Sequence, residues 1–533
     1  MIGTIELLLG LLLAVAGLAL LARKLKIPYP ILFVMGGLLL GFIPKLPSLH
    51  LNPELVFVLF LPPLLFPAAL FTPWRDFHAN LGPILLLAFG LVLLTTAVVG
   101  WFAHLVIGLP LAAGFVLGAI IAPPDAIAAT AITQSLRVPR RIITILDGES
   151  LVNDAASFTA YRFAVAAVVT GTFSFGQASV KFLAVVVGGV VVGLASGWVA
   201  ASIQRRLDDP PVQTTLSLIT PYVTYLAAEA MDVSGVLAVV IAGLYLGWRS
   251  PEILTSRIRL VAQSVWGMVV FILNGFIFIL IGLQLPEVVH SLSGHSIGEA
   301  VRLTILVVGL LIVVRIVCLF VFTYVPRLVS PRFRHRYPSP PWRHVALMSW
   351  AGMRGVDSLA AALALPMLTQ SAVPFPERGL IVFLTFGVIL GTLVLQGLSL
   401  APIIHLLKIV DDHAPEEEER LARLKANQAA LSRVLALART RGMDDGVLDR
   451  VRTEYEDRIE QLSEPRHENG QTRFNLFSPA YEELSKEGLL EERKTILHLR
   501  NTRVINDHVL RRIQKDIDLA EARLDQSEGE LGL

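Results

Sequence analysis

The chain has 533 residues, 54% of them hydrophobic, and a mean hydropathy of +0.65, which excludes an ordinary soluble globular protein. Its formal net charge of +2 says little until the charges are located, and nothing in it points to a nucleic-acid partner. A single cysteine, Cys318, excludes a disulfide or a thiolate metal site within the chain, and is expected to be a small packing residue.

A membrane-spanning helix needs roughly 20 apolar residues, and the first 407 residues supply such segments almost without pause. About thirteen are expected, at 4–23, 28–44, 53–71, 82–107, 110–134, 142–170, 178–203, 213–230, 233–249, 260–284, 299–325, 343–369 and 378–407. The first resembles a signal peptide in length. However, its basic residues Arg23, Lys24 and Lys26 follow the apolar run and no small-residue cleavage site is evident, so it reads as a retained helix. With the N-terminus outside, the odd-numbered loops hold seventeen basic residues and the even-numbered loops with adjacent helix ends hold four. The positive-inside rule therefore expects the N-terminus outside, the C-terminus in the cytoplasm and an odd number of spans. From about residue 408 the composition changes. Acids at Glu416–Glu419 follow Asp411, Asp412 and Pro415, and helical stretches are expected near 416–441, 444–462, 478–500 and 502–526. In the last, Ile505, Val509, Ile513, Ile517, Ala520 and Leu524 form one apolar stripe, suited to packing on its own tail or a partner's. The domains expected are thus a membrane domain over 1–407 and a helical cytoplasmic tail over 408–533.

Two segments carry features that a lipid-facing helix avoids. The fifth contains Ala122-Pro123-Pro124-Asp125, and consecutive prolines lack amide donors and cannot occupy a regular helix interior. The twelfth contains Gly352-Met353-Arg354-Gly355, a charge between two glycines. Irregular backbone at membrane depth is tolerated only where protein or a water-filled cavity satisfies it. If the seventh segment is a connector, segments 1–6 and 8–13 form two sets of six, with the interruption in the fifth member of each. The sets start on opposite sides of the membrane, which makes them inverted repeats, and paired interruptions in two halves point to a transporter site at the midplane. The repeat rests on this pattern alone, since the halves show no convincing residue-by-residue similarity. The fold class expected is an all-α polytopic membrane protein with interrupted helices 5 and 12.

The sixth segment begins with Gly148-Glu149-Ser150-Leu151-Val152-Asn153-Asp154. A charge at the bilayer centre costs about 3 kcal/mol or more, so these acids are expected to face protein or water and to be functional. Counted at 1.5 Å per residue from the basic turn at Arg137–Arg141, Asp125 and Asp154 both lie roughly 15–20 Å deep, and Arg354 lies at ~16 Å. Two carboxylates and a guanidinium on one level form a constellation. Hard monovalent cations prefer oxygen ligands from carboxylates and unwound backbone. Asp125 and Asp154 are candidate ligands with the Ser150 hydroxyl, one turn from Asp154, and the Pro124 carbonyl. A carboxylate competed for by one proton and one cation, with alternating access, makes an antiporter. Asn153 is an amide where a second acid would carry another proton, which points to one-for-one, electroneutral exchange. Glu149 and Arg354 are expected to form a structural ion pair between helices six and twelve. Arg162 and Arg315 also count as intramembrane, and either could neutralise a helix end or an acid such as Asp357.

These motifs resemble those of bacterial sodium/proton exchangers of the monovalent cation:proton antiporter 1 family. The heptapeptide, the Pro-Asp of the fifth segment and Gly352-Met353-Arg354-Gly355 carry the resemblance. Leu61-Pro62-Pro63-Leu64-Leu65-Phe66, Ala228-Glu229 and Ser234-Gly235 add to it. The resemblance covers nearly the whole membrane region and implies Asp154 as the exchange carboxylate with Asp125 as its partner. It also implies a homodimer in the cell membrane, with segments 4–6 and 11–13 (about 82–170 and 299–407) as a moving core. Segments 1–3 and 8–10 (about 1–71 and 213–284) would be the dimerising scaffold. The expected partners are monovalent cations, protons, lipid and a second copy, with no cofactor and no metal beyond the transported cation. Three departures stand out. Pro67 occupies a position where many relatives have glutamate, Pro124-Asp125-Ala126 replaces the commoner Thr-Asp-Pro, and Asp357 stands where an apolar residue is usual. Two competing readings are an intramembrane aspartyl protease, whose Tyr-Asp and Gly-x-Gly-Asp contexts are missing here, and a cation channel.

Overall fold

In the computed structural model, residues 2–25, 28–41, 53–125, 138–171 and 175–409 are described, the last except 255, 291, 293, 337–338 and 371–372. Of the tail, residues 424–436, 445–463, 488–492, 494, 517, 519 and 520 are described. The chain divides into two compact units, Met1–Ile409 and Val410–Leu533. The described residues form helices joined by turns and irregular segments, with one isolated β-bridge between Leu368 and Pro374.

The first unit contains α1 (Ile2–Leu25), α2 (Tyr29–Gly41), α3 (Pro53–Leu70), α4 (Leu81–Ile107) and α5 (Leu111–Ile121). After them come α6 (Arg140–Thr170), α7 (Phe175–Gln204), α8 (Pro210–Ala230), α9 (Gly235–Ile253), α10 (Ser256–Leu283) and α11 (Ile297–Val329). The unit closes with α12 (Trp342–Trp350), α13 (Val356–Leu363) and α14 (Arg378–Leu406). Five stretches (Leu81–Ile107, Ala178–Gln204, Ile258–His290, Ile297–Val329 and Arg378–Leu406) are long and apolar enough to cross a membrane. Their outward residues, such as Leu183, Trp198, Ile305 and Val313, are exposed apolar groups suited to lipid.

Two expected boundaries are explained by local chemistry. The fifth segment stops being helical at Ile121 because Pro123 and Pro124 offer no amide hydrogens. The twelfth divides into α12 and α13, with Ala351–Gly355 between them outside helical geometry. The continuation of the fifth segment over 126–137 lies outside the described residues. In the tail, α15 (Asp445–Ser463) matches the 444–462 expectation and carries Arg452–Glu456 and Arg458–Glu454 pairs one turn apart. Most of the proposed apolar stripe, Ile505, Val509, Ile513 and Leu524, lies outside the described residues.

Packing gathers the interrupted elements into one place. Helix α5 packs on α4 and α6, while α13 packs on α14, α5, α3 and α10. The largest apolar cluster joins α2, α4, α5, α6, α10, α11, α12, α13 and α14, through residues such as Leu117, Ile145, Val307, Leu347 and Leu384. A second cluster holds α3, α7, α8, α9 and α10 around Phe66 and Trp266. The breaks in the fifth and twelfth segments are therefore enclosed by protein, as unpaired backbone at such depth requires.

Candidate functional site

The two breaks touch through their backbones. The Asp125 amide donates to the carbonyl of Met353 at 2.7 Å, so each irregular strand satisfies a group that its own helix leaves unpaired. Gly355 is extended (φ −116°, ψ −162°), so its requirement is for space. A Cβ there would lie 2.7 Å from both Cβ and Cγ of Asp125, inside the closest approach that side chains allow. Gly352 is equally confined, because a Cβ would overlap the Arg315 side chain. The two glycines of the motif thus admit different partners, a carboxylate at one and a guanidinium stem at the other. Gly355→Ala is expected to lower the exchange rate by about 100-fold, because Asp125 is held through its backbone and must be displaced. Rates in proteoliposomes check this, alongside thermal unfolding in detergent to confirm that the variant folds.

Helix α6 runs unbroken past this crossing and presents Asn153, Asp154 and Ser157, all buried. The Asn153 Nδ2 donates to the Pro124 carbonyl at 2.8 Å, and the Ser157 hydroxyl donates to the Ala119 carbonyl at 2.8 Å. Because a carbonyl only accepts, the first bond fixes which way the amide points. Asn153 Oδ1 is then a wholly buried oxygen with no hydrogen-bond donor among the described residues. The Pro124 carbonyl is thus engaged by Asn153, and the oxygen that Asn153 presents is the better ligand candidate. Asp154 is buried, Asp125 and Ser150 are half-buried, and Ser150 lies one turn from Asp154 on the same helix.

The expected Glu149–Arg354 ion pair is corrected. Both Glu149 oxygens are taken by Arg315 of α11, at 2.7 Å to Nη1 and 3.0 Å to Nη2, and the two side chains are 1% and 2% exposed. Arg354 instead donates through Nε to the Ile121 carbonyl at 3.0 Å, through Nη2 to Ala122 at 3.5 Å and through Nη1 to Gly352. Its own amide donates to Thr392 Oγ1 at 3.1 Å. The physical reason lies in the helix ends. The last carbonyls of α5 have no amide donors after two prolines, and they form the negative end of a helix dipole, so the nearest guanidinium caps them. Arg315 does the same for α12, reaching the Met348 carbonyl at 3.3 and 3.4 Å while it pairs with Glu149. Each of these two arginines therefore closes one broken helix, and Glu149 neutralises Arg315.

The remaining candidates separate from this centre. Arg162 lies 22 residues after the start of α6, about 33 Å along it and beyond the middle of a ~30 Å core. It is exposed and forms a bidentate pair with Glu229 at 2.9 and 2.8 Å, which ties α6 to α8. Pro67 is buried within α3. Sequence reasoning left out Thr392 and the Met353 carbonyl. A backbone carbonyl and an isolated threonine leave no pattern in a sequence. Among the described residues no cluster of His, Cys, Asp and Glu forms a resident metal centre.

Comparison with known proteins identifies the family. The family model described as sodium/hydrogen exchanger, transmembrane, matches residues 10–406. The chain belongs to that family. It is a cation/proton exchanger, and the protease and channel readings find no support. An uncharacterized Na(+)/H(+) exchanger of Mycobacterium tuberculosis (strain ATCC 25618 / H37Rv) is 33% identical over 513 residues, covering 95% of this chain and 93% of the relative. An uncharacterized Na(+)/H(+) exchanger of Escherichia coli (strain K12) is 32% identical over 549 residues, covering 97% and 98%. The sodium, potassium, lithium and rubidium/H(+) antiporter of Bacillus subtilis (strain 168) is 36% identical over 388 residues, covering 70% of this exchanger and 57% of that one. Among solved structures, the sodium proton antiporter MjNhaP1 from Methanocaldococcus jannaschii at pH 8 superposes with a TM-score of 0.61 at 19% identity. That match covers 76% of this exchanger and 98% of the other chain, and it shows a shared fold.

Proposed function

We propose that this exchanger moves Na⁺ against H⁺, one for one, at a site made by Asp154, Asp125, Ser150 and the Asn153 carbonyl oxygen. Li⁺ and K⁺ are the competing cations for the same oxygens. The observation that carries the reading is the crossing itself. The Asp125 amide is bonded to the opposite break, and Asp154 and an unpaired Asn153 oxygen lie alongside. Asp154 binds either a proton or a cation, and both loads leave the same net charge on the site. The neighbouring Glu149–Arg315 pair is closed on itself and Arg354 is spent on helix carbonyls, so neither supplies a second exchangeable proton. This supports electroneutral exchange by alternating access.

The same reading takes the N-terminus as outside, residues 408–533 as a cytoplasmic tail and the cell membrane as the location. Two inverted six-helix sets, thirteen spans, a homodimer and a role in pH and cation homeostasis complete it. Core helices around α4–α6 and α11–α14 move against the scaffold formed by α1–α3 and α8–α10, and the Arg162–Glu229 pair spans that boundary. The test is exchange in proteoliposomes under an imposed pH gradient, with the membrane potential clamped at several values. The expected rate for Na⁺ is independent of potential. A rate that rises or falls steadily with potential would overturn one-for-one stoichiometry.

A further inference from the structure

Between Glu299 and Asp357 the chain has no acidic residue, and Arg327, Arg332, Arg334, Arg336 and Arg343 fall within one short stretch of that interval. The stretch is the hairpin between α11 and α12. Apart from buried Arg315, the run over 303–325 is uncharged and reaches ~34 Å along α11, which exceeds a ~30 Å hydrocarbon core. Leu328 and Val329 therefore lie at headgroup level. There the surface is both apolar and basic. Leu328, Val329 and Trp342 are 83%, 77% and 57% exposed, and Arg332 and Arg343 are exposed close to them in the chain. The hairpin is held in shape. The Tyr324 hydroxyl donates to the Pro340 carbonyl at 3.2 Å, which lays the approach to α12 against the end of α11. Between the two, Pro331–Arg336 forms a short helix packed on α11. Among the described residues no carboxylate pairs with Arg332 or Arg343. At the start of α6, by contrast, Arg140 binds Asp76 at 2.9 Å and Arg141 donates to Asn80 at 3.1 Å.

We propose that this hairpin binds the phosphate of anionic phospholipid headgroups, with Arg332 and Arg343 as charged contacts and Leu328, Val329 and Trp342 set into the lipid below them. Exposed large apolar side chains beside guanidiniums match a headgroup layer, which is apolar beneath and anionic above. A guanidinium presents a fork of donors that fits a phosphate. The Tyr324 bond fixes the hairpin in advance, so less freedom is lost on binding. A purely topological role asks only for positive charge on this side of the membrane. It does not ask for Leu328 and Trp342 to stand exposed among the arginines. Helix α12 gives the site a route to transport. It runs for nine residues, ~14 Å, from Trp342 to the break over Ala351–Gly355. A headgroup held at its first turn thus steadies the element that leads to Met353 and Arg354. The proposal goes beyond the exchange reading and is independent of stoichiometry and of the cation ligands.

The experiment compares the full-length wild type with Arg332→Gln/Arg343→Gln and Arg332→Lys/Arg343→Lys. Thermal unfolding in an uncharged detergent is titrated with dioctanoyl phosphatidylglycerol, dioctanoyl phosphatidylcholine or inorganic phosphate. Phosphatidylglycerol is expected to stabilise the wild type and the other two are not. The concentration for half the effect should rise about tenfold or more in the glutamine variant. The lysine variant keeps the charge and should stay within about threefold of wild type. In proteoliposomes, wild-type exchange should be about threefold or more faster with about 30% phosphatidylglycerol than in phosphatidylcholine alone, and the glutamine variant should show no such difference. A glutamine variant that responds to phosphatidylglycerol as the wild type does would overturn the proposal. Equal stabilisation by inorganic phosphate would overturn it too, because the hairpin would then be an anion site without a lipid. A loss of stability on replacing Glu416–Glu419 by glutamine, with no response to phosphatidylglycerol, would assign the surface to an acidic segment of the same chain and also overturn it. If the double glutamine variant does not fold, Arg332→Gln and Arg343→Gln are titrated singly, with a rise of about threefold expected in each.

Discussion

Asp154→Asn is expected to reduce Na⁺-driven proton movement in proteoliposomes to the level of empty liposomes. The amide keeps the shape of the carboxylate but neither releases a proton nor supplies the charge that a desolvated cation needs. The substitution is also expected to leave thermal stability equal to or above wild type. Asp154 is buried, and neutralising it removes the desolvation cost of a carboxylate without opening a cavity. Loss of transport with an intact unfolding transition therefore separates a chemical role from a structural one. Asp125→Asn is the informative companion. The contact that fixes its position is a backbone amide to the Met353 carbonyl, so the crossing survives and the variant should fold. Full exchange in Asp154→Asn would remove this residue from the mechanism.

Glu149→Gln is expected to have the largest effect on stability. It leaves the Arg315 guanidinium, 2% exposed, without its counter-ion, and breaking such a buried pair costs about 3–5 kcal/mol. Arg315→Gln should cost a similar amount by stranding Glu149, while its amide can still donate to Met348. The double variant Glu149→Gln/Arg315→Gln should recover most of that loss, since neutral replacement of both partners removes both desolvation costs. Unfolding midpoints of the four proteins in detergent form a double-mutant cycle, and a coupling energy near zero would show that the pair contributes little. Arg354→Gln in the same assay should not couple to Glu149→Gln to a comparable extent, because Arg354 bonds only to carbonyls.

The difference between those two arginines shows where a linear reading stops. Counting 1.5 Å per residue from a basic turn brings Asp125, Arg354 and Asp154 to one level, and a buried acid such as Glu149 does need a cation. Arg354 is the arginine inside a motif and Arg315 is buried in an uninterrupted apolar helix, so pattern favours the wrong one. The choice depends on which guanidinium points at the unpaired carbonyls of Ile121 and Ala122, and that is a property of how α5, α11 and α12 cross. That Arg162 pairs with Glu229 is hidden from the sequence for a related reason. Helix α6 continues for 31 residues, and a helix longer than the hydrocarbon core carries its far end to the interface. Asn153 shows a gentler version of the same limit. Its neutrality is plain from the residue type, but that its nitrogen is spent on Pro124 and its oxygen left over required the neighbouring helix.

The sequence by itself determined that this chain is a bundle of apolar helices, that two of them break, and that the breaks carry charge at one depth. Apolar run length, the missing amides of Pro123 and Pro124 and the cost of burying Asp154 are local properties, each legible in a short window. Only the tertiary structure decided that the breaks bond to each other through Asp125 and Met353, that Arg315 serves Glu149, and that Arg354 caps the Ile121 carbonyl. Those are pairings between residues as much as 233 positions apart, and a hydrogen bond is set by distance and angle between atoms, which helix packing supplies and residue order does not.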